Sequence, residues 1–229
     1  MKYLIIISII LSTSFITNSK NRELLEDVNL NEQKLPDNFE KAYYAFKNYN
    51  KNIDTLTVIT FCEVSRLYGF TDNDNNFNLL ISQILLESGA RHYINNNGNK
   101  SVLLSSGGAI GFSQILGSTC LGYMRKSITK KDSIIFKKIG VTDYSFIFDS
   151  NLDDKTAWLK AREWLSNEKN NIVMWGKIIN DELKTKSILK TLVTYNIGHY
   201  KMKQYLNNGD TLDKHEYISN IKRINKKMF

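Results

Sequence analysis

Proline occurs once in these 229 residues, at Pro36, so beyond that point nothing carries the side chain that most strongly interrupts helices. Strand signals are sparse and no internal repeat is visible, which argues against a sandwich, barrel or solenoid and for a predominantly α domain. Cysteine is limited to Cys62 and Cys120. An oxidising compartment would let them pair, and two buried thiols that never meet fit the sequence equally well, since spacing does not report their separation. Acidic side chains are in deficit, 23 Asp and Glu against 31 Lys and Arg, for a net charge of +8. The excess is diffuse and lacks the interleaved aromatics of a nucleic-acid surface, so no nucleic-acid partner is expected. Its densest part, Lys222, Arg223, Lys226 and Lys227, fits either general attraction to an anionic envelope polymer or a solvated helix face.

Only one long apolar run is present, near the start. MKYLIIISIILSTSFITNSK has the pattern of a secretory signal: one basic residue, an apolar stretch, then small polar residues. The run over 4–16 is short for a permanent span, so a transient export segment over 1–19 is expected, with an uncleaved anchor as the alternative. The protein is therefore expected to be exported, to the periplasm or cell envelope. A polar stretch over 20–34 follows, and 20–70 is read as an N-terminal helical extension to a main domain over 71–229.

Hydrophobic spacing places the helices. One begins near Pro36 and Asp37 and carries Phe39, Tyr43, Tyr44 and Phe46. A second covers 54–68 with Leu56, Ile59, Cys62 or Val64, and Leu67 inward, and ends at Gly69. TDNDNN over 71–76 lacks the glycine of a calcium loop and reads as a helix N-cap. Further helices are expected over 129–139, 153–167, 171–183, 187–195 and 213–226, with a short hairpin within 95–106.

The helix over 77–87 carries the most informative side chain. Phe77, Leu80, Ile81, Ile84 and Leu85 recur at helical spacing, and Glu87 lies three residues beyond Ile84 on that apolar face. A carboxylate there is desolvated, which raises its pKa and lets it hold a proton near neutrality for transfer to a leaving oxygen. The ordinary alternatives are a solvated helix end or a partner for Arg91.

Four segments, in order, give Glu87 a context. They are Glu87-Ser88, the run SSGGAIGFSQI over 105–115, Thr194-Tyr195-Asn196-Ile197-Gly198, and His215-Glu216-Tyr217-Ile218. Together they resemble the soluble lytic transglycosylase family, with its Glu-Ser pair, its Ser-x-x-Gly-Ala-x-Gly-Leu-Met-Gln-Ile turn, its Ala-Tyr-Asn-Ala-Gly and its closing Glu-x-x-x-Tyr-Val type segment. Asn171-Ile172 also falls where the family has Asn-Ile. The resemblance spans about 77–224. It implies a lysozyme-like helical domain that opens peptidoglycan between N-acetylmuramic acid and N-acetylglucosamine, leaving 1,6-anhydromuramyl ends, without metal or cofactor. Substrate-assisted enzymes of this kind need one carboxylate rather than two.

Carried over by position, Glu87 is the general acid and base. Tyr195 is expected to hydrogen-bond and orient it. Ser105 and Gln114 would bind sugar, Gly111 would permit the tight turn beside them, and Asn196 and Tyr217 complete the substrate-binding set, more as braces than as contacts. The single-domain size and export signal resemble the specialised members of the family, which implies service to a secretion or conjugation machine. Two departures concern the subsites: Phe112-Ser113 replaces Leu-Met, and Gly89-Ala90-Arg91 stand where an aromatic is usual. The chain is also longer than the pattern between Glu87 and Gly108 and between Cys120 and Asn171, which would reshape the groove rim or add a partner surface. Competing readings are a lysozyme-type hydrolase that uses water and an inactive peptidoglycan-binding scaffold.

Overall fold

Most of the described helices begin at a side-chain cap, and together they build a mainly α architecture. The computed structural model describes residues 35–36, 38–96, 98–141 and 143–229. The expected export segment, the polar stretch after it and Asp37 lie outside the described residues. Among those described are nine α-helices and one small antiparallel sheet.

Helix α1 is Phe39–Tyr49 and α2 is Thr55–Tyr68, started by the Asp54 carboxylate accepting from Leu56 N–H and ended by Gly69. The buried face of α2 is rotated from the expected one. Val58, Phe61, Cys62 and Val64 point inward, while Leu56 is exposed and Ile59 and Leu67 are only partly covered. The apolar residues are so dense in this helix that two faces compete, and the wide aromatic Phe61 decides. Helix α3, Asp74–Ser88, starts at Asn73, whose side chain accepts from Asn76 N–H, so TDNDNN is indeed an N-cap.

Strands β1, Tyr93–Asn96, and β2, Asn99–Val102, form the hairpin, with Tyr93 opposite Val102. Helix α4, Gly117–Lys126, was not foreseen: it has two glycines and no side-chain cap, so little in its local sequence announces it. Helix α5, Lys130–Ile139, opens with a reciprocal capping box between Thr129 and Asp132. Helices α6, Asp154–Leu165, and α7, Glu168–Leu183, follow close to expectation. Helix α8, Ile188–Asn207, runs well past the expected 195. It does so across a break at Gly198, whose backbone is non-helical (φ 78°, ψ 164°). Helix α9, Glu216–Met228, packs Tyr217, Ile218, Ile221 and Ile224 inward and leaves its lysines in solvent.

Phe61 sits at the centre of the core. Its ring centroid lies 5.1 Å from Phe46, 4.9 Å from Trp175, 5.9 Å from Phe77 and 6.2 Å from Phe112. Those partners belong to α1, α7, α3 and the segment before α4, so the first two helices are part of the main core. Leu35–Phe229 is one compact unit, and the division expected at residue 70 is not a domain boundary. Gly176 lets α7 settle against α2, since a Cβ there would lie 2.5 Å from Val64 Cγ1 and 2.9 Å from the Tyr68 ring. Beside that crossing Lys177, fully buried, is held between Asp132 at 3.3 Å and Asp181 at 2.8 Å, and Tyr68 donates to Asp132 at 2.9 Å. A buried cation survives in apolar surroundings only with such partners.

Cys62 and Cys120 resolve into two separate free thiols. Both are fully buried, Cys62 on α2 and Cys120 on α4, and burial pushes the Cys120 thiol up to about 12 and Cys62 higher. Thiol titration should therefore find no reactive group in the folded protein and two after unfolding without reductant. Fewer than two would mean a bridge.

Candidate active site

The glycine-rich segment over 105–115 folds on itself before α4. Ile110 bridges both Leu104 and Ile115, and Ser105 N–H donates to the Ala109 carbonyl at 2.9 Å. Gly111 stands at φ 71°, and any Cβ there would overlap the His92 imidazole. Gln114 also has positive φ, 54°, and its Nε2 donates to the Gly111 carbonyl at 2.8 Å.

Two buried side chains clamp this turn. His92 Nδ1 accepts from Phe112 N–H at 3.1 Å while its Nε2 meets the Ser166 carbonyl at 2.9 Å, so the neutral ring with hydrogen on Nε2 satisfies both. Burial lowers the His92 pKa, which favours that neutral form. Asn171 accepts from Ser113 N–H at 3.0 Å and from its hydroxyl at 2.6 Å, and donates to the Ile110 carbonyl at 2.9 Å. Asn171 belongs to a motif noted in the sequence. His92 does not, although a buried polar residue beside a glycine turn is the kind of group that braces backbone.

Glu87 is on the last turn of α3, where Ser88 and the left-handed Gly89 end the helix. Its carboxylate accepts the Tyr217 hydroxyl from α9. Burial pushes Glu87 from 4.5 up to about 7, against the opposing pull of that hydrogen bond. Tyr217 is itself held far above its usual range, by burial first and then by the adjacent carboxylate, and so stays a neutral donor. Behind it lies Gln83, fully buried, whose Oε1 accepts Trp175 Nε1–H at 3.2 Å. The Gln83 amide nitrogen opposes the rise at Tyr217 without closing a hydrogen bond of good geometry. Arg91 does not pair with Glu87; its Nε donates to the Ser88 carbonyl at 3.0 Å.

Glu87 opens on a cleft of about 670 Å³. Ser105, Gly107, Gln114 and Leu116 form one wall, and Thr194 to His199 with Tyr123 form the other. Of the expected site residues, Ser105, Gln114, Tyr195 and Asn196 therefore meet Glu87 at one cavity. Gly111 does not line it: it sits behind the turn, against His92, and acts through backbone shape. The hydrogen bond to Glu87 expected from Tyr195 is made by Tyr217 instead. Tyr217 is buried and fixes the acid, whereas Tyr195 faces the cleft and its hydroxyl donates to the Ser113 carbonyl at 2.7 Å. The break at Gly198 falls within the cleft-facing segment of α8, a geometry helical spacing could not reveal.

The sequence also gave no sign of a second buried carboxylate, Glu182 on α7. Tyr123 and Lys186 donate to it, and His199 lies 2.9 Å from Oε1. These partners keep its pKa low in spite of burial. Glu182 is absent from the cleft lining, but Tyr123 and His199, which it holds, are both in it. Among the described residues no group of three or more His, Cys, Asp or Glu is placed to hold a metal ion.

Comparison of the chain with family models, curated proteins and solved structures gives no match. The site's chemistry accordingly rests on its own geometry.

Two measurements check the electrostatics. The folded chain holds the Glu87 proton more tightly than the unfolded chain, so this group's contribution to stability falls as pH rises from 4.5 to about 7. Glu87→Gln should be more stable than the parent above pH 7, by about 3 kcal/mol, and equal to it below pH 4. Urea unfolding at both pH values reads the difference, and an advantage confined to low pH would sink the burial argument. Tyr217→Phe removes the one contact that lowers the Glu87 pKa, so carboxyl titration by NMR should move upward; a downward move would show another hydrogen bond in control.

Proposed function

We propose that this protein is an exported peptidoglycan lytic transglycosylase, with a lysozyme-like arrangement of its helices. One observation carries the reading. Glu87 is the sole carboxylate among the described residues that line the cleft, and burial pushes it up to about 7. Such a group is a proton donor at neutral pH and a usable base once it has given up its proton. The ordered resemblance of 105–115, 194–198 and 215–218 to the transglycosylase motifs supplies the substrate class. The first two meet Glu87 at one cleft and the third reaches it through Tyr217, which supports the reading.

In the proposed reaction protonated Glu87 gives its hydrogen to the oxygen joining N-acetylmuramic acid to N-acetylglucosamine, and the muramyl C1–O bond breaks. The acetamido group of the muramyl residue stabilises the cationic carbon. The Glu87 carboxylate then takes the proton of the same sugar's 6-hydroxyl, whose oxygen closes on C1. The product is a 1,6-anhydromuramyl end, and Glu87 is protonated again. Tyr217 fixes the carboxylate between the two steps, and the Ser105 to Gln114 turn and Asn196 present polar groups to the sugars.

A lysozyme-type hydrolase is the alternative that retains activity. The commonest hydrolytic schemes use a second carboxylate to activate water or to attack carbon. Glu182 is poorly suited to this, because Tyr123, His199 and Lys186 already occupy its oxygens. An inactive scaffold would have no need to keep an acid desolvated at the cleft. Export and service to an envelope-spanning secretion or conjugation machine belong to the same proposal, supported by the N-terminal pattern and the resemblance alone.

Purified protein incubated with peptidoglycan should release muropeptides lighter by one water than hydrolytic products, read by mass spectrometry. Reducing muramyl ends would favour the hydrolase, and no release the scaffold. Glu87→Gln should lower the rate by about 10²- to 10⁴-fold, and an unchanged rate would remove Glu87 from the mechanism.

A further inference from the structure

Trp158 differs from the other two tryptophans. Trp164 and Trp175 are buried, at 5% and 1% exposure, whereas Trp158 on α6 is 37% exposed. Its Nε1–H donates to no group among the described residues. One helical turn later Arg162 places its guanidinium 4.7 Å from the Trp158 ring centroid, and Nη1 donates to the Gly108 carbonyl at 3.2 Å. The ring is thus backed by a planar cation that is itself tied to the glycine turn, which limits the conformational freedom of both side chains.

The pair adjoins the cleft at two separate places. A Cβ on Gly117 would lie 2.9 Å from Arg162 Cγ and 3.2 Å from Trp158 Nε1, and one on Gly108 would lie 3.0 Å from Arg162 Nη1. Their chain neighbours Leu116 and Gly107 both line the cavity that holds Glu87. Leu116 is also 41% exposed, so an apolar rim leads from the cleft toward the indole.

We propose that Trp158, backed by Arg162, is a saccharide-stacking platform that lengthens the cleft beyond its walls and binds a pyranose of the glycan strand further along from the bond being cut. It rests on the reading of the cleft as a glycan site. The guanidinium lies against the indole, and the exposed part of the ring offers an apolar surface, with an N–H at its edge for a hydroxyl or acetamido oxygen. A pyranose presents the matching surface, an apolar C–H face rimmed by polar groups. A single ring of this kind is too small for a stable protein partner, which needs on the order of 1,000 Å² of buried surface. A polymer already held in the adjoining cleft adds the platform as one further contact.

The test titrates chains carrying Glu87→Gln, which bind without cutting, with peptidoglycan glycan fragments of two to eight sugars. Adding Trp158→Ala should weaken the longer fragments about ten-fold and leave the shortest unchanged, while Trp158→Phe should retain most of the affinity. With Glu87 present, Trp158→Ala should raise KM on long strands and leave kcat alone. Equal losses at every length, or none at any, would overturn the platform and leave the functional reading intact. If the Trp158-bearing chain binds no fragment, the functional reading falls and the platform with it. Should the alanine variant fail to fold, Trp158→Leu, which keeps bulk but lacks the aromatic face, decides in its place: the same length-dependent loss supports the platform, and unchanged binding at every length overturns it.

Discussion

The turn over 110–114 is the constraint on which the site depends. It packs so close to His92 that Gly111 leaves no room for a side chain, and its backbone polar groups are claimed from both sides by His92 and Asn171. Through the Ser166 and Leu165 carbonyls the same two side chains reach the end of α6. A segment without regular secondary structure is thereby held in place, because Phe112 N–H, Ser113 N–H and the Ile110 and Gly111 carbonyls all have hydrogen-bond partners. Gln114, the Ser113 carbonyl that holds Tyr195, and the Gly108 carbonyl that holds Arg162 all inherit their positions from it.

Two buried carboxylates then receive opposite treatment. Glu87 has one neutral hydrogen-bond donor, Tyr217, and no cation paired with it among the described residues, so desolvation wins and the proton is retained. Glu182 has a lysine, a tyrosine and a histidine, so the charge is retained. The difference lies in the number and charge of partners more than in depth. It separates a group free to exchange a proton from one that only anchors cleft-wall side chains.

Much of this was legible in the sequence because helices of this chain carry strong local signals. Asp54, Asn73, Thr129 and Ser187 cap where capping residues stand, and Gly69 and Gly140 end α2 and α5. What escaped has a shared cause. The facing of α2, the presence of α4 and the run of α8 past Gly198 are set by neighbours distant in sequence, not by local preference. In the site, the motifs located Glu87, Ser105, Gln114, Tyr195 and Asn196. They could not say which tyrosine reaches the acid, since that depends on how α8 and α9 cross. His92, Tyr123, Glu182 and His199 belong to none of the motifs and acquire meaning only from the side chains they meet.

Glu87 and the hydroxyl that steadies it are 130 residues apart, one on α3 and the other on α9. A chain made from its N-terminus displays the acid long before it displays the brace. During that interval the carboxyl has neither its fixed orientation nor its full seclusion from water. The proton-holding state of this acid is thus a property of the completed fold, present only once α9 has docked against α3.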